Sequence, residues 1–275
     1  MEHQTTLAKE AYYSGVGLHS GIEVSMRLLP APANTGIVFC RSDLPGKPRA
    51  RADASNVTAT LRATTIMENG VKFFTIEHLM SALSAAGIDN CEVELDREEP
   101  PVADGASLVF FDLIRNAGKK TLPEARKIIA VDRVIRVDDG ERYILIMPYD
   151  GLRVSFTSIN PHPLAGTQYV DVTLTEEAYR EEIAPARTIA YEAEVDALRK
   201  AGLGLGGSLD TVIVYSDEKW LNTLRFPNEL VRHKALDVIG DLRLAGVVRG
   251  HVVAVKSAHA LNTELAKKIH AAYGV

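Results

Sequence analysis

The residues of this 275-residue chain best suited to chemistry are histidines and carboxylates set one helical turn apart. His233, Asp237 and Asp241 fall at i, i+4 and i+8 within Asn228 to Ala245, a stretch with helical apolar spacing. At about 100° per residue they drift only about 40° per step and share one stripe. That stripe lies roughly opposite Val231, Ala235, Val238, Ile239 and Leu242, the side that must enter the core. An imidazole and a carboxylate one turn apart can hold a single divalent ion. The same spacing describes a solvated polar face, and spacing alone favours that plainer reading. A second helix offers Glu77 and His78 off its Ile76, Leu79, Met80 and Leu83 stripe, as a general base and a metal ligand facing one cleft. The plainer alternative there is a glutamate drawn to a helix N-terminus beside a surface histidine. The third cluster, Lys256 to Asn262, puts His259 at the end of an apolar strand, where it could donate a proton while a carboxylate such as Asp241 holds it. Alone, it reads as a loop histidine.

The elements around these clusters come in a repeated order. Val24, Met26 and Leu28 alternate with Ser25 and Arg27 as a strand, and Ile37 to Cys40 forms another. Ala63 to Met67 and Lys72 to Phe74 make a hairpin about Glu68-Asn69-Gly70. A helix follows with Thr75 as its N-cap and Gly87 as its stop, then a strand through Cys91, Val93 and Leu95, and a helix over Leu108 to Ala117. The polar run Gly118 to Arg126 suits a linker. Strands return at 128–135, 143–147, 154–156 and 169–174, then a short helix over 192–201, the helix from Asn228, a strand over 252–255 and a last helix after Asn262. Strands followed by helices in each half predict an α+β fold from an internal duplication, with domains at 1–120 and 127–275.

Composition narrows the function classes. Thirty-one basic against 36 acidic residues argue against a phosphate-backbone partner, so no nucleic acid is expected. Two cysteines, Cys40 and Cys91, are too few for a disulfide framework or a thiolate zinc site. There is no membrane-length apolar run and no basic-then-apolar N-terminus, which predicts a cytoplasmic protein. His19, in a glycine-rich turn without a P-loop ending, is uninformative, and His162 reads as a turn. His3, His251 and His270 read as solvent-facing. Leu203 to Ser208 is no dinucleotide fingerprint, because no buried strand leads into it; its glycines suit close backbone approach to a ligand.

Seven segments taken together resemble one family, the metal-dependent UDP-3-O-acyl-N-acetylglucosamine deacetylases of lipid A biosynthesis. They are Gly15 to Gly21, Ile76 to Leu83, Gly87 to Asn90, Ala186 to Thr188, Leu205 to Ser208, His233 to Leu242 and Lys256 to Asn262, in the family's order and across nearly the whole chain. The resemblance implies two similar α+β domains, of the kind seen in the second domain of ribosomal protein S5, with the active site between them. It implies His78, His233 and Asp237 as metal ligands, with zinc or ferrous iron as the ion. By the same likeness Glu77 is the general base, His259 oriented by Asp241 the acid, Thr188 the oxyanion donor and Lys234 a nearby positive charge. Tyr191 to Val214 corresponds to an inserted acyl passage near 190–214, with Val195, Leu198, Leu203, Leu205, Val212 and Ile213 as its apolar candidates or as packing for their own small helix. Lys256, Leu18, Ile189, Leu205, Gly207 and Ser208 are candidates for substrate contact, Lys256 toward the nucleotide phosphates. The partner is then a small acylated UDP-amino sugar, handled by a monomer. Ile189-Ala190 stands where the family usually has Phe-Gly, Ala258 replaces a common glycine, and Ser155 to Pro163 lacks the usual Asp-Phe before His-Pro. These departures leave the ligands intact and bear on the acyl preference. Two alternatives remain: a metal amidase for another acylated amino sugar, and a non-catalytic binding module of ribosomal-protein-like halves.

Overall fold

The computed structural model describes residues 2–274; Met1 and Val275, the outer ends of the two expected domains, lie outside it. The first half runs β1 (His3–Leu7), β2 (Ala11–Val16), β3 (Glu23–Pro30), β4 (Ile37–Arg41), β5 (Arg49–Arg51), β6 (Val57–Ala59), β7 (Thr65–Glu68), β8 (Val71–Phe74), α1 (Glu77–Ala85), β9 (Cys91–Leu95) and α2 (Leu108–Ala117). A strand, β10 (Lys119–Ala125), leads into the second half. There follow β11 (Ile128–Ala130), β12 (Ile135–Asp139), β13 (Arg142–Met147), β14 (Leu152–Ile159), β15 (Thr167–Thr173), α3 (Glu176–Ala178), β16 (Thr188–Tyr191) and α4 (Glu192–Lys200). The chain closes with β17 (Val212–Tyr215), α5 (Glu229–Leu242), β18 (Val247–Val255) and α6 (His259–Tyr273).

The duplication is visible in the sheets. In the first half the strand order is β2-β3-β9-β4-β5, and in the second the equivalent path is β12-β13-β18-β14-β15. In both, the late strand inserts antiparallel to one neighbour and parallel to the other: β9 against β3 and β4, β18 against β13 and β14. The helices therefore correspond, α1 with α5 and α2 with α6. The sheets alternate as the sequence predicts, with Val24, Met26 and Leu28 facing the core and Val248, Val252 and Ala254 doing the same in β18. Burying a side chain of this size contributes about 1.5–3 kcal/mol.

Local expectations hold or fail for physical reasons. Asn69 and Gly70, both at positive φ, make the two-residue turn between β7 and β8. Gly87 at φ +66° stops α1, and the Ile88 amide donates back to the Leu83 carbonyl. Thr75 does not cap α1: Ile76 takes that position with helical dihedrals, while Thr75 sits at φ +56° and its hydroxyl donates to Glu99 Oε1 at 2.8 Å. The run expected as a linker is β10, paired antiparallel with β1 and slipping register opposite His3–Thr5, close to Pro123. The single strand expected over 128–135 is two, β11 and β12. The last helix starts at His259 rather than after Asn262.

The two halves meet through α1 and α5. Gly240 makes the approach possible, since a Cβ there would run into the Glu77 carbonyl oxygen. From the second half, fully buried Tyr179 reaches Ser107 Oγ at 2.7 Å and Ser81 Oγ at 2.9 Å. Ser107 in turn donates to the His78 carbonyl oxygen at 2.6 Å, so the seam itself fixes the first turn of α1.

Candidate active site

Glu77 and His78 open α1, and His233, Asp237 and Asp241 lie along α5. All five are nearly inaccessible, at 3%, 5%, 2%, 2% and 0% exposure. The plainer readings, a solvated stripe on α5 and a surface histidine on α1, are overturned, because each polar face is buried against the other helix. Ligand atoms of His78, His233 and Asp237 all lie within 4.8 Å of one another. Asp237 Oδ1 is 3.4 Å from His233 Nε2 and 3.8 Å from His78 Nε2, and the two rings stand 4.9 Å apart edge to face.

Electrostatics suits these groups to a metal ion. Burial lowers both imidazoles, His78 to about 3, so their ring nitrogens carry lone pairs at neutral pH. His233 Nδ1 sits 3.0 Å from the Ala186 carbonyl oxygen, which takes the N–H there and leaves Nε2 free. Burial pushes the Asp237 carboxyl up, but neighbouring positive charge, Lys234 first and cationic His259 with it, overcomes that and holds the group ionised. Lys234 Nζ donates to Oδ2 at 2.9 Å, while Oδ1 is buried with no hydrogen-bond partner. An orphaned carboxylate oxygen facing two neutral imidazoles is costly unless a cation completes it, so the donor set fits a divalent ion.

Two groups border the triad with perturbed protonation. Burial pushes the Glu77 carboxyl up to about 7, against the pull of His259, and the Thr64 amide donates to its Oε2 at 3.0 Å. For His259 burial acts downward, but Asp241 and Asp237 outweigh it and raise the imidazole to about 9. His259 Nδ1 lies 2.9 Å from Asp241 Oδ2, which also accepts from Asn262 Nδ2 at 2.9 Å, and Thr64 Oγ1 donates to Asp241 Oδ1 at 2.5 Å. Only Nε2 of His259 is left to face the cavity.

That cavity, about 450 Å³, is lined by Glu77, His78, His233, Lys234, Asp237 and His259 at one end. Thr188, Leu18, Ile189, Gly207 and Ser208 also line it. The insert is a β16-α4-β17 crossover with its two strands parallel, and its Val195, Leu198, Leu203 and Val212 face the cavity. Ile213 is buried elsewhere, and Leu205 is 50% exposed and outside the lining. The glycine-rich run serves backbone-to-backbone contact within the chain: the Leu205 and Gly206 amides donate to the His19 and Leu18 carbonyls, and a Cβ on Gly206 would meet the Gly17 carbonyl. Lys256 lies outside the cavity, at φ +54° with its Nζ on Glu141 at 2.7 Å.

Several contributors were not singled out by residue type and spacing, although His19 lies in the family-matched segment Gly15 to Gly21. His19 lines the cavity with Nδ1 accepting from the Gly204 amide at 3.2 Å and Nε2 buried without a partner. Glu99 fixes the His19 loop by accepting from the His19 and Ser20 amides, both at 2.9 Å. Thr64 and Asn262 hold the site from behind; for Asn262 the match of its segment to a family motif was a signal. Of the other histidines, His251 is half-buried on the Ser155 hydroxyl at 2.7 Å rather than free in solvent.

Fold and site together define a class: a hydrolase whose titratable groups and candidate metal ligands gather where two repeated α+β halves close on each other. The particular family follows from comparison with known proteins. The model of the family described as UDP-3-O-acyl N-acetylglycosamine deacetylase matches residues 4–271, and the chain belongs to that family. It is 43% identical over 270 residues to a protein of Anaeromyxobacter dehalogenans named UDP-3-O-acyl-N-acetylglucosamine deacetylase, covering 97% of this chain and 87% of that one. Proteins of the same name from Acidithiobacillus ferrooxidans, 43% identical over 274 residues, and Bdellovibrio bacteriovorus, 40% over 269, cover 98% and 97% of this chain and 90% and 89% of their own lengths.

Proposed function

We propose that the chain removes the N-acetyl group from a UDP-3-O-acyl-N-acetylglucosamine, releasing acetate and the free-amine sugar nucleotide with its acyl chain in place, a step of lipid A biosynthesis. The observation that carries the reading is Asp237, buried between two neutral imidazoles with one oxygen held by Lys234 and the other unpartnered. His78, His233 and Asp237 would hold one divalent ion, zinc by donor set, with ferrous iron suiting the same ligands. The chemistry such an ion supplies when bound is Lewis acidity at the acetyl carbonyl and a water acidic enough to attack.

The remaining work falls to the chain's own groups. Glu77, poised near neutrality, takes the proton of the attacking water. Thr188 donates a hydrogen bond to the carbonyl oxygen as charge builds on it, and Lys234 adds positive charge beside it. His259, cationic at neutral pH, stabilises that charge and then passes its Nε2 proton to the leaving amine. Asp241 keeps the ring oriented and the cation stable. The acyl tail lies along Leu18, Ile189, Val195, Leu198, Leu203 and Val212, over the apolar side of α4. Gly207 and Ser208 bound that passage. Each half is a domain, 1–120 and 127–275, and the enzyme works as a cytoplasmic monomer. Among the described residues no helix is long and apolar enough to cross a membrane.

The test is acetate release from the acylated sugar nucleotide with and without a chelator. Chelation should abolish turnover and returned zinc restore it. The non-acylated sugar nucleotide should turn over far more slowly, and equal rates would point to a different amino-sugar substrate. Glu77→Gln should cut turnover by about 10²–10⁴-fold with metal content unchanged; undiminished turnover would remove Glu77 from the reaction.

A further inference from the structure

A second cavity, of about 200 Å³, opens on the seam and shares no lining residue with the catalytic one. Its walls come from both halves: Arg51 and the amides of Gln4, Asn34 and Asn90 from the first, Lys127 and Arg243 from the second. The amides form a preset rim, with Gln4 Nε2 donating to Asn34 Oδ1 and Asn90 Nδ2 donating to Gln4 Oε1, both at 3.0 Å. Arg243 is 9% exposed, and its guanidinium makes one hydrogen bond, from Nη2 to the Ile88 carbonyl oxygen across the seam at 3.0 Å. That bond goes to the first half and not to the last carbonyls of α5, so helix capping does not account for it. Among the described residues Arg243 pairs with no carboxylate, nor do Arg51 and Lys127. Burial accordingly depresses Arg243 to about 10, against the pull of Asp89 and with the added push of Arg126.

The two carboxylates on the walls are already engaged. Asp89 accepts from Arg126 Nε and from the Thr5 amide, both at 2.9 Å. Asp53 accepts from the Ser55 amide at 2.8 Å and its hydroxyl at 2.6 Å. Acidic residues outnumber basic ones in this chain, 36 to 31, yet three cations line one hollow, none of them in an ion pair among the described residues, against the single charge of Asp53, unpaired by Lys or Arg. A buried guanidinium without a counter-charge is destabilising until an anion meets it.

We propose that this cavity binds a small oxyanion of the phosphate class, free or as the end of a phosphate ester, and so clamps the two halves together. Guanidinium and ammonium groups on three walls match the several acceptor oxygens of such an ion. Arg243 directly follows α5, so the clamp acts at the far end of the helix that carries His233 and Asp237.

The experiment is thermal unfolding and titration calorimetry of the whole chain with inorganic phosphate, at ionic strength held constant with chloride, and with glycerol phosphate in a second arm. Phosphate should bind one per chain and raise the midpoint by about 2–4 °C over the chloride control. Tighter binding of inorganic phosphate identifies the free ion as the ligand, and tighter binding of glycerol phosphate an ester; either supports the site. Arg243→Met should abolish binding, and because it could also unfold the protein, the exposed pair carries the test. Arg51→Gln and Lys127→Gln should each weaken phosphate by several-fold, jointly abolish it, and leave acetate release unchanged. No shift beyond chloride, or binding indifferent to both exposed substitutions, overturns the proposal.

Discussion

Asp237 shows how one side chain can be tuned by what it lacks. Its Oδ2 is tied to Lys234 and its Oδ1 to nothing, so the unmatched oxygen selects for a cation. Asp237→Ala should therefore lose the divalent ion, read as metal content after dialysis, and with it the rise in unfolding midpoint that added zinc gives the parent protein. Protonation sets the pH range of activity. In the proposed roles Glu77 acts ionised and His259 protonated, so turnover should climb as pH rises through about 7 and fall as pH passes about 9. Asp241 is among the groups that raise His259, and Asp241→Asn should draw the alkaline limb down toward the ordinary imidazole range while the acid limb stays. An alkaline limb that does not move would detach His259 from Asp241. Spacing along α5 and the adjacency of Glu77 and His78 made these residues legible in the sequence. Their burial was not legible, because a polar stripe looks the same whether water or another polar stripe covers it. Glu99 was unreadable because its role is set by contacts with chain about 80 residues away, and His19, although its Gly15 to Gly21 segment matches the family, shows no chemistry in its own spacing.

At the scale of elements, two close approaches decide whether the site exists. Gly240 lets α5 lie against the first turn of α1, and Gly240→Ala should push the helices apart at Glu77. The expected cost is about 1–3 kcal/mol of stability, with a larger loss of turnover than the unfolding midpoint alone explains. The strand bearing Thr188 is anchored to the start of α5 by Glu229, 1% exposed, which accepts from the Arg187 amide and Nε, both at 3.0 Å. Glu229→Ala leaves the Arg187 cation buried and unpaired, and should cost about 3–5 kcal/mol in denaturant unfolding. Strongly periodic elements were the readable ones: α2 runs over the residues its apolar spacing predicts, and the Asn69-Gly70 turn is where its residues demand. β10 was not readable, since only its backbone engages β1 while six of its seven side chains are exposed, leaving no apolar alternation to find.

For the whole molecule, the repeated strand order explains why the site sits where it does. A single unit offers one helix of candidate ligands, and only docking a second unit against it brings α1 and α5 together across the seam. The expected duplication rested on element order, which the sequence carries; the docking rests on Gly240, Tyr179 and Ser107 meeting across long stretches of chain, which it does not.

Both cysteines occupy the interior of the first half, Cys40 in β4 and Cys91 in β9, each at 0% exposure. Burial pushes both thiols upward, Cys91 to about 12, so neither presents a reactive thiolate at working pH. The folded protein should therefore react slowly with alkylating reagents until it unfolds. A single engineered cysteine at exposed Leu205, in the glycine-rich run whose Gly204 and Gly207 line the large cavity, would then be the one point of attachment for a fluorophore, so that a ligand entering that cavity should register as a change of emission.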